Sequence, residues 1–188
     1  VSRSLAACEG ALLVVDATQG VEAQTVAHAF LAAANHVKII PVLNKTDMPA
    51  ADPETVARQI EDIFAIPREE CFHVSAKTGA GVAEVLEALV ARIPPPRSAH
   101  PGELRALVFD SEYDTFRGGI IYVRLFDGAI RRGDRIRLMG SGKDYEVQEV
   151  GIFNPKPQPA EALQAGQVGY FLANIKATAE IQIGDTVT

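Results

Sequence analysis

Asn44, Lys45 and Asp47 stand together behind the apolar run Lys38-Ile39-Ile40-Pro41-Val42-Leu43, with only Thr46 between them. An amide, a cation and a carboxylate at the end of a strand make a recognition set rather than a reactive one. A carboxylate accepts two parallel hydrogen bonds, which suits a partner offering adjacent N–H donors. Guanine offers such a pair in its ring imino group and its exocyclic amine. Adenine has an acceptor ring nitrogen and no amine at that edge, so it leaves the carboxylate unanswered. The carboxamide of Asn44 both donates and accepts, as the other edge of guanine requires. The aliphatic stem of Lys45 can lie along a flat ring while its ammonium stays in water.

A second set, Ser75-Ala76-Lys77, follows the short apolar run Cys71-Phe72-His73-Val74. Small residues there let backbone N–H groups approach a base oxygen, and a second lysine stem covers the ring's other side. Taken alone, the first set also reads as a polar strand exit in which Asp47 turns the chain ahead of Pro49. Two sets at strand ends, separated by one helix, match the place where open α/β sheets bind ligands. Asn44, Lys45, Asp47, Ser75, Ala76 and Lys77 are therefore the candidate guanine-binding residues. No residue is assigned a catalytic role and none is assigned to a metal.

Alternating helices and strands must position these residues. Ser2 to Glu9 reads as a helix tail stopped by Gly10. Ala11-Leu12-Leu13-Val14-Val15 is a continuous apolar strand of the kind buried on both faces of a parallel sheet. An alanine-rich helix spans 22–34 and ends at Asn35, before strand 38–43. Asp52-Pro53-Glu54 opens the next helix with a cap, a first-turn proline and an acid at the positive dipole end. After strand 71–74, the spacing of Val82, Val85, Leu86, Leu89, Val90 and Ile93 predicts a further helix. Nearby polar residues receive plainer roles. Asp16 is read as a turn former, Thr46 as a backbone contributor, His73 as packed within its strand, and Gly79 and Gly81 as shaping the turn.

Pro94-Pro95-Pro96 ends that helix, and the stretch to Gly102 reads as a short, stiff linker. Beyond it the pattern changes to short strand candidates at 104–110, 119–126, 135–139, 144–150 and 168–175. Turn signals such as Asp127-Gly128, Gly133-Asp134 and Gly140-Ser141-Gly142 separate them. Ile121, Val123 and Leu125 alternate with Tyr122, Arg124 and Phe126, which gives one aliphatic and one mixed face. A small antiparallel barrel is the economical arrangement, because closure removes exposed sheet edges.

The chain has 188 residues, 47% apolar and 22% charged, enough for one large domain or two small ones. No apolar run reaches membrane-spanning length, and the first residues lack the order of a secretion signal. Cys8 and Cys71 both have apolar neighbours in sequence and are expected to be reduced core residues of a cytosolic protein. The net charge of −6 argues against a generic nucleic-acid binder. It is uneven, however. Residues 1–96 carry 7 cationic and 12 acidic side chains, and residues 97–188 carry 11 and 12. Between 117 and 143 lie Arg117, Arg124, Arg131, Arg132, Arg135, Arg137 and Lys143, against only Asp127 and Asp134. These seven cations are candidate RNA contacts, with a solvated strand face as the alternative.

The residues quoted resemble the translational GTPases, and within them the elongation factor 4 (LepA-type) subgroup. The segment from Ser2 to Ala17 is similar to the family's segment after switch II, and Gly20-Val21-Glu22-Ala23-Gln24-Thr25 continues it. Pro49-Ala50-Ala51-Asp52-Pro53 and Ile93-Pro94-Pro95-Pro96 resemble the subgroup. Gly133-Asp134, Gly151-Ile152-Phe153, Gly166-Gln167-Val168-Gly169 and Gly184-Asp185-Thr186 resemble the barrel of the family. Asn44, Lys45 and Asp47 match its guanine-specificity motif, and Ser75, Ala76 and Lys77 match its second base-contacting motif.

The resemblance implies a partial α/β P-loop GTPase-like parallel sheet, lacking its phosphate-loop half, followed by a β-barrel of the translation-factor domain II type. Residues 1–94 would be the C-terminal part of the GTPase domain, 95–102 the linker and 103–188 the barrel. It implies a cytoplasmic, ribosome-dependent GTP hydrolase that acts on tRNA-loaded ribosomes, with the barrel against ribosomal RNA of the small subunit. Peripheral membrane association of the parent is a further implication. GTP or GDP would be held here by base contacts only. Mg²⁺ is expected in the parent, with no ligands in these residues, since the chain contains neither the Gly-rich loop with Lys-Ser/Thr nor the Asp-x-x-Gly-His segment. The fragment is accordingly expected to hydrolyse no GTP. The alternatives are a non-catalytic RNA- or ribosome-binding module and another translational GTPase subgroup.

Overall fold

The computed structural model describes residues 2–96, 102–175 and 180–188. Most of the linker expected at 95–102 lies outside the described residues. The chain separates into two compact units, Val1–Pro95 and Pro96–Thr188.

Unit 1 is a three-stranded parallel sheet in the order β1-β2-β3, formed by β1 (Gly10–Asp16), β2 (Lys38–Asn44) and β3 (Phe72–His73). Helices α1 (Ser2–Leu5), α2 (Ala23–Ala34), α3 (Pro53–Phe64) and α4 (Val82–Arg92) accompany it. Alternating side chains divide between two sheet faces. Leu13, Val15 and Leu43 pack with Ala29 of α2 and with Val56 and Ile60 of α3. Ile40 and Val42 pack with Val74 and with Val85 of α4. Ile40, Leu43 and Ile60 have no exposed surface, and each such side chain contributes about 1.5–3 kcal/mol.

Helix starts follow the sequence closely. Asp52 accepts the Thr55 N–H at 3.1 Å with Pro53 in the first turn, so α3 begins as its cap dictates. The apolar spacing of α4 marks the helix but not its burial. Val85, Leu89 and Ile93 pack inward, whereas Val82, Leu86 and Val90 form an exposed stripe. Two smaller expectations are corrected. Cys8 is exposed rather than packed, and so is His73. Cys71 is half-buried, and burial, reinforced by Glu70, Glu61 and Glu69, pushes its thiol up to about 11, leaving it protonated at neutral pH.

Unit 2 is an antiparallel, barrel-like unit. Eight strands pair in one sheet, β10-β9-β12-β5-β4-β13-β7-β8, and β11 pairs with β6. The long strands β4 (Arg105–Asp114) and β5 (Gly118–Asp127) form its central hairpin. β6 (Ala129–Arg131), β7 (Arg135–Leu138), β8 (Lys143–Glu146) and β9 (Glu149–Asn154) follow. β10 (Lys156–Ala160), β11 (Ala162–Gln164), β12 (Val168–Leu172) and β13 (Thr186–Val187) complete it. Ile121, Val123 and Leu125 are fully buried, with Leu138, Leu163 and Phe171 from neighbouring strands.

The strand expected at 144–150 is two strands, broken at Val147-Gln148, where Val147 turns back to exchange hydrogen bonds with Gly133 and Asp134. β10 carries Pro157 and Pro159 and, among the described residues, pairs only with β9. An edge strand tolerates prolines because its outward positions need no N–H donor, so the breaker signal concealed a strand. No helix among the described residues is long and apolar enough to cross a membrane.

Candidate functional site

The parallel register aligns Asp16 of β1 with Asn44 of β2, and Leu43 with His73 of β3. The carboxyl ends of the strands therefore lie level, and the loops leaving them meet. Three hydrogen bonds join the two loops that carry the predicted sets. The carboxamide oxygen of Asn44 accepts the Ala76 N–H at 3.0 Å, and the Val74 carbonyl accepts both the N–H (3.2 Å) and the hydroxyl (3.0 Å) of Thr46. Thr46 thus contributes its side chain as well as its backbone. It fastens one loop to the other.

The second loop is fixed from within. Ser75 is buried, and its hydroxyl accepts the Thr78 N–H at 3.1 Å. The Ser75 N–H reaches the Ala80 carbonyl at 2.9 Å, and its own carbonyl accepts from Gly79 at 2.8 Å. Ser75 therefore shapes the loop, while Ala76 and Lys77 are exposed on it. Gly81 closes the turn at φ +72°, where a Cβ would sit 2.1 Å from the His73 carbonyl oxygen. Only glycine fits that approach.

Lys45 sits at φ +65°, an uncommon conformation for a residue with a side chain. Its ammonium reaches Asp16 at 2.6 Å. The other Asp16 oxygen accepts the Thr18 N–H at 2.9 Å and the Thr18 hydroxyl at 2.7 Å. The Lys45 ammonium first, and then the Thr18 donors, hold the Asp16 carboxyl down at about 2. Asp16 is a turn former, as its position suggests, and also an ion-pair partner inside the site. The available signal was its place at the end of a neighbouring parallel strand, level with Asn44.

Asp47 is exposed, and no hydrogen bond or ion pair joins its carboxylate to another described residue. The open valences at these loops are therefore the Asp47 carboxylate, the Asn44 amide hydrogens, and the Lys77 N–H, with two lysine stems beside them. An acceptor-only carboxylate next to amide donors and apolar stems suits a flat heteroaromatic ring with adjacent N–H donors. Asn44 differs from expectation in one respect: its oxygen is already committed to Ala76, so only its N–H₂ faces outward.

The cationic stretch of unit 2 is mostly spent internally. Arg124 is buried, with its guanidinium 5.3 Å over the Phe126 ring, so its assignment as an RNA contact is corrected. Arg117 pairs with Glu149, Arg135 and Arg137 both pair with Asp144, and Lys143 pairs with Glu180. Arg131 and Arg132 are exposed, and neither side chain has a partner among the described residues. Among the described residues no three His, Cys, Asp or Glu side chains gather as metal ligands.

Level parallel strand ends whose loops are fastened to each other define an open α/β unit of the kind that binds ligands at its strand ends, here followed by a barrel-like one. Comparison with known proteins bears on both units. Residues 1–95 match the family described as Elongation factor Tu GTP binding domain, and residues 118–188 match Elongation factor Tu domain 2. The chain belongs to the Elongation factor Tu GTP-binding family. Proteins named Elongation factor 4 from Synechococcus elongatus and Thermosynechococcus vestitus are each 55% identical over all 188 residues, which cover 31% of either relative. One from Thermotoga maritima is 53% identical over the same span, 30% of its length. The chain thus spans about a third of the length of the curated relatives it matches.

Proposed function

We propose that this chain selects the guanine base for a cytoplasmic translation factor of the elongation factor 4 type, which hydrolyses GTP on tRNA-loaded ribosomes. Residues 1–94 act as the C-terminal part of its GTPase domain, 95–102 as the linker and 103–188 as the barrel domain. The observation that supports this most directly is the exposed Asp47 carboxylate on a loop fastened to Ala76 and Val74. Asp47 accepts the imino and amino hydrogens of guanine. The Lys77 N–H donates toward the base oxygen, the Asn44 amide donates at the ring's other edge, and the stems of Lys45 and Lys77 cover the two faces. Serving as a rigid mould, the loops supply binding and orientation. Phosphoryl transfer rests on phosphate-cradling and Mg²⁺-holding groups, which would belong to other parts of that factor.

The test exploits base chemistry. Xanthine carries an oxygen where guanine carries its amine, so an amide at position 47 would donate to it while still accepting from the ring N–H. Asp47→Asn in the intact protein should weaken GDP binding about 30-fold or more, for loss of a charge-assisted bidentate pair, and should improve binding of xanthosine diphosphate. Equal loss for both nucleotides, or no loss for GDP, contradicts the assignment.

The barrel is proposed to contact ribosomal RNA of the small subunit through Arg131 and Arg132. As an isolated fragment the chain would then act as a non-catalytic RNA-binding module, the second reading that these two unpaired guanidiniums favour.

A further inference from the structure

We propose that Asp16 is a positioning residue for base binding: by holding the Lys45 ammonium it lays the lysine stem along the purine face. This rests on the guanine reading above and adds to it a residue from a different strand. Lys45 leaves the strand end at φ +65°, so its backbone does not by itself direct the side chain along the sheet. A free lysine has four rotatable bonds and a strongly hydrated head, and it would spend little time flat against a ring. The 2.6 Å contact to Asp16 fixes the far end of that chain. Asp16 is itself held, since Thr18 donates to its second oxygen from both backbone and hydroxyl. The loop bearing Thr18 is fastened in turn, because the Ala17 N–H bonds the Asn44 carbonyl at 2.9 Å and the Ala17 carbonyl accepts the Asp52 N–H at 2.9 Å. The anchor is therefore rigid relative to Asn44, Lys45 and Asp47. Pre-ordering a side chain in its bound geometry removes an ordering cost from binding.

The two parts of the site then do different work. Asp47 reads the 2-amino group. Asp16, through Lys45, strengthens the grip on any purine ring that enters, whatever its substituent at that position. Guanine and hypoxanthine nucleotides separate these contributions, since inosine diphosphate lacks only the amine.

GDP and inosine diphosphate should be titrated into the intact protein carrying these residues, by calorimetry. Asp16→Asn keeps the acceptor for Thr18 and removes the charge that holds Lys45. It should weaken both nucleotides by the same factor, about three- to tenfold, leaving their ratio intact. Asp16→Glu, which restores a carboxylate within reach of the ammonium, should recover a good part of the loss. In a Lys45→Met background, which keeps the stem and drops the ammonium, Asp16→Asn should have no further effect. An equal Asp16→Asn loss in both backgrounds would mean a structural role for Asp16, and no loss in either would mean none; each outcome overturns the proposal. A parent protein that binds GDP and inosine diphosphate equally tightly would instead overturn the Asp47 reading, and Asp16 would then have no guanine site to serve. Thr18→Val, expected to act in the same direction but more weakly, guards against misfolding of the Asp16 variants.

Discussion

The strand-end loops of unit 1 and the cationic stretch of unit 2 were both legible as clusters of polar residues in sequence, yet folding treats the two clusters in contrary ways. In unit 1 the parallel register gathers residues up to 32 positions apart, as in the Asn44–Ala76 bond, and leaves Asp47 without a partner. In unit 2 folding does the reverse. The β7–β8 pairing sets Arg135 and Arg137 against Asp144, and the more distant Glu149 and Glu180 take up Arg117 and Lys143. A charge count along the chain treats 117–143 as strongly basic. A charge count in space leaves two guanidiniums. Valence left open after folding, rather than local composition, marks a binding surface.

That contrast can be broken most forcefully at Gly81. Alanine there would combine a left-handed backbone with a Cβ 2.1 Å from the His73 carbonyl oxygen. Unit 1 should lose about 2–3 kcal/mol in denaturant unfolding, and unit 2 should unfold as before. An unchanged unit 1 would mean the second loop is not rigid, which removes the mould argument.

A second test sharpens the other half of the comparison. Substituting Arg131 and Arg132 together by Gln should weaken RNA binding and lower its salt slope by about two. The same double change at Arg135 and Arg137 should do distinctly less, because both guanidiniums are already held by Asp144. Filter binding across a salt series reads both. Equal effects from the two pairs would mean that the ion pairs do not withhold those cations.

Smaller still is the effect expected at Thr46. Thr46→Val removes one of the two hydrogen bonds to the Val74 carbonyl and keeps side-chain shape. It should cost about 0.5–1.5 kcal/mol and loosen GDP binding more than RNA binding. Thermal unfolding together with nucleotide titration gives both quantities.

Much of unit 1 could be read from its residues because most local signals agreed with the tertiary outcome, although the helix expected to run to Glu9 ends at Leu5. Asp52-Pro53 capped α3, Gly10 opened β1, and the apolar run 38–43 became β2. That the two candidate loops would meet was legible for the same reason, since strand ends carry loops to a common level. What escaped were pairings between elements. Asp16 looked like a turn residue because nothing along the chain announces that its free oxygen faces Lys45, 29 positions on. Thr46 looked idle because its partner, the Val74 carbonyl, belongs to another loop. In unit 2 the central strands were evident from alternation, but β10 was masked by its prolines and the short β6, β11 and β13 by their length. Short strands owe their existence to neighbours rather than to propensity.

Amide-resolved magnetic resonance spectra of the chain during titration with millimolar GDP, and in parallel with ADP, test the central claim most directly. The account predicts that the signals of Asn44–Asp47 and Ser75–Lys77 move together with GDP and stay in place with ADP, while those of unit 2 are unaffected. Equal movement with both nucleotides, or movement confined to residues away from these two loops, would contradict it.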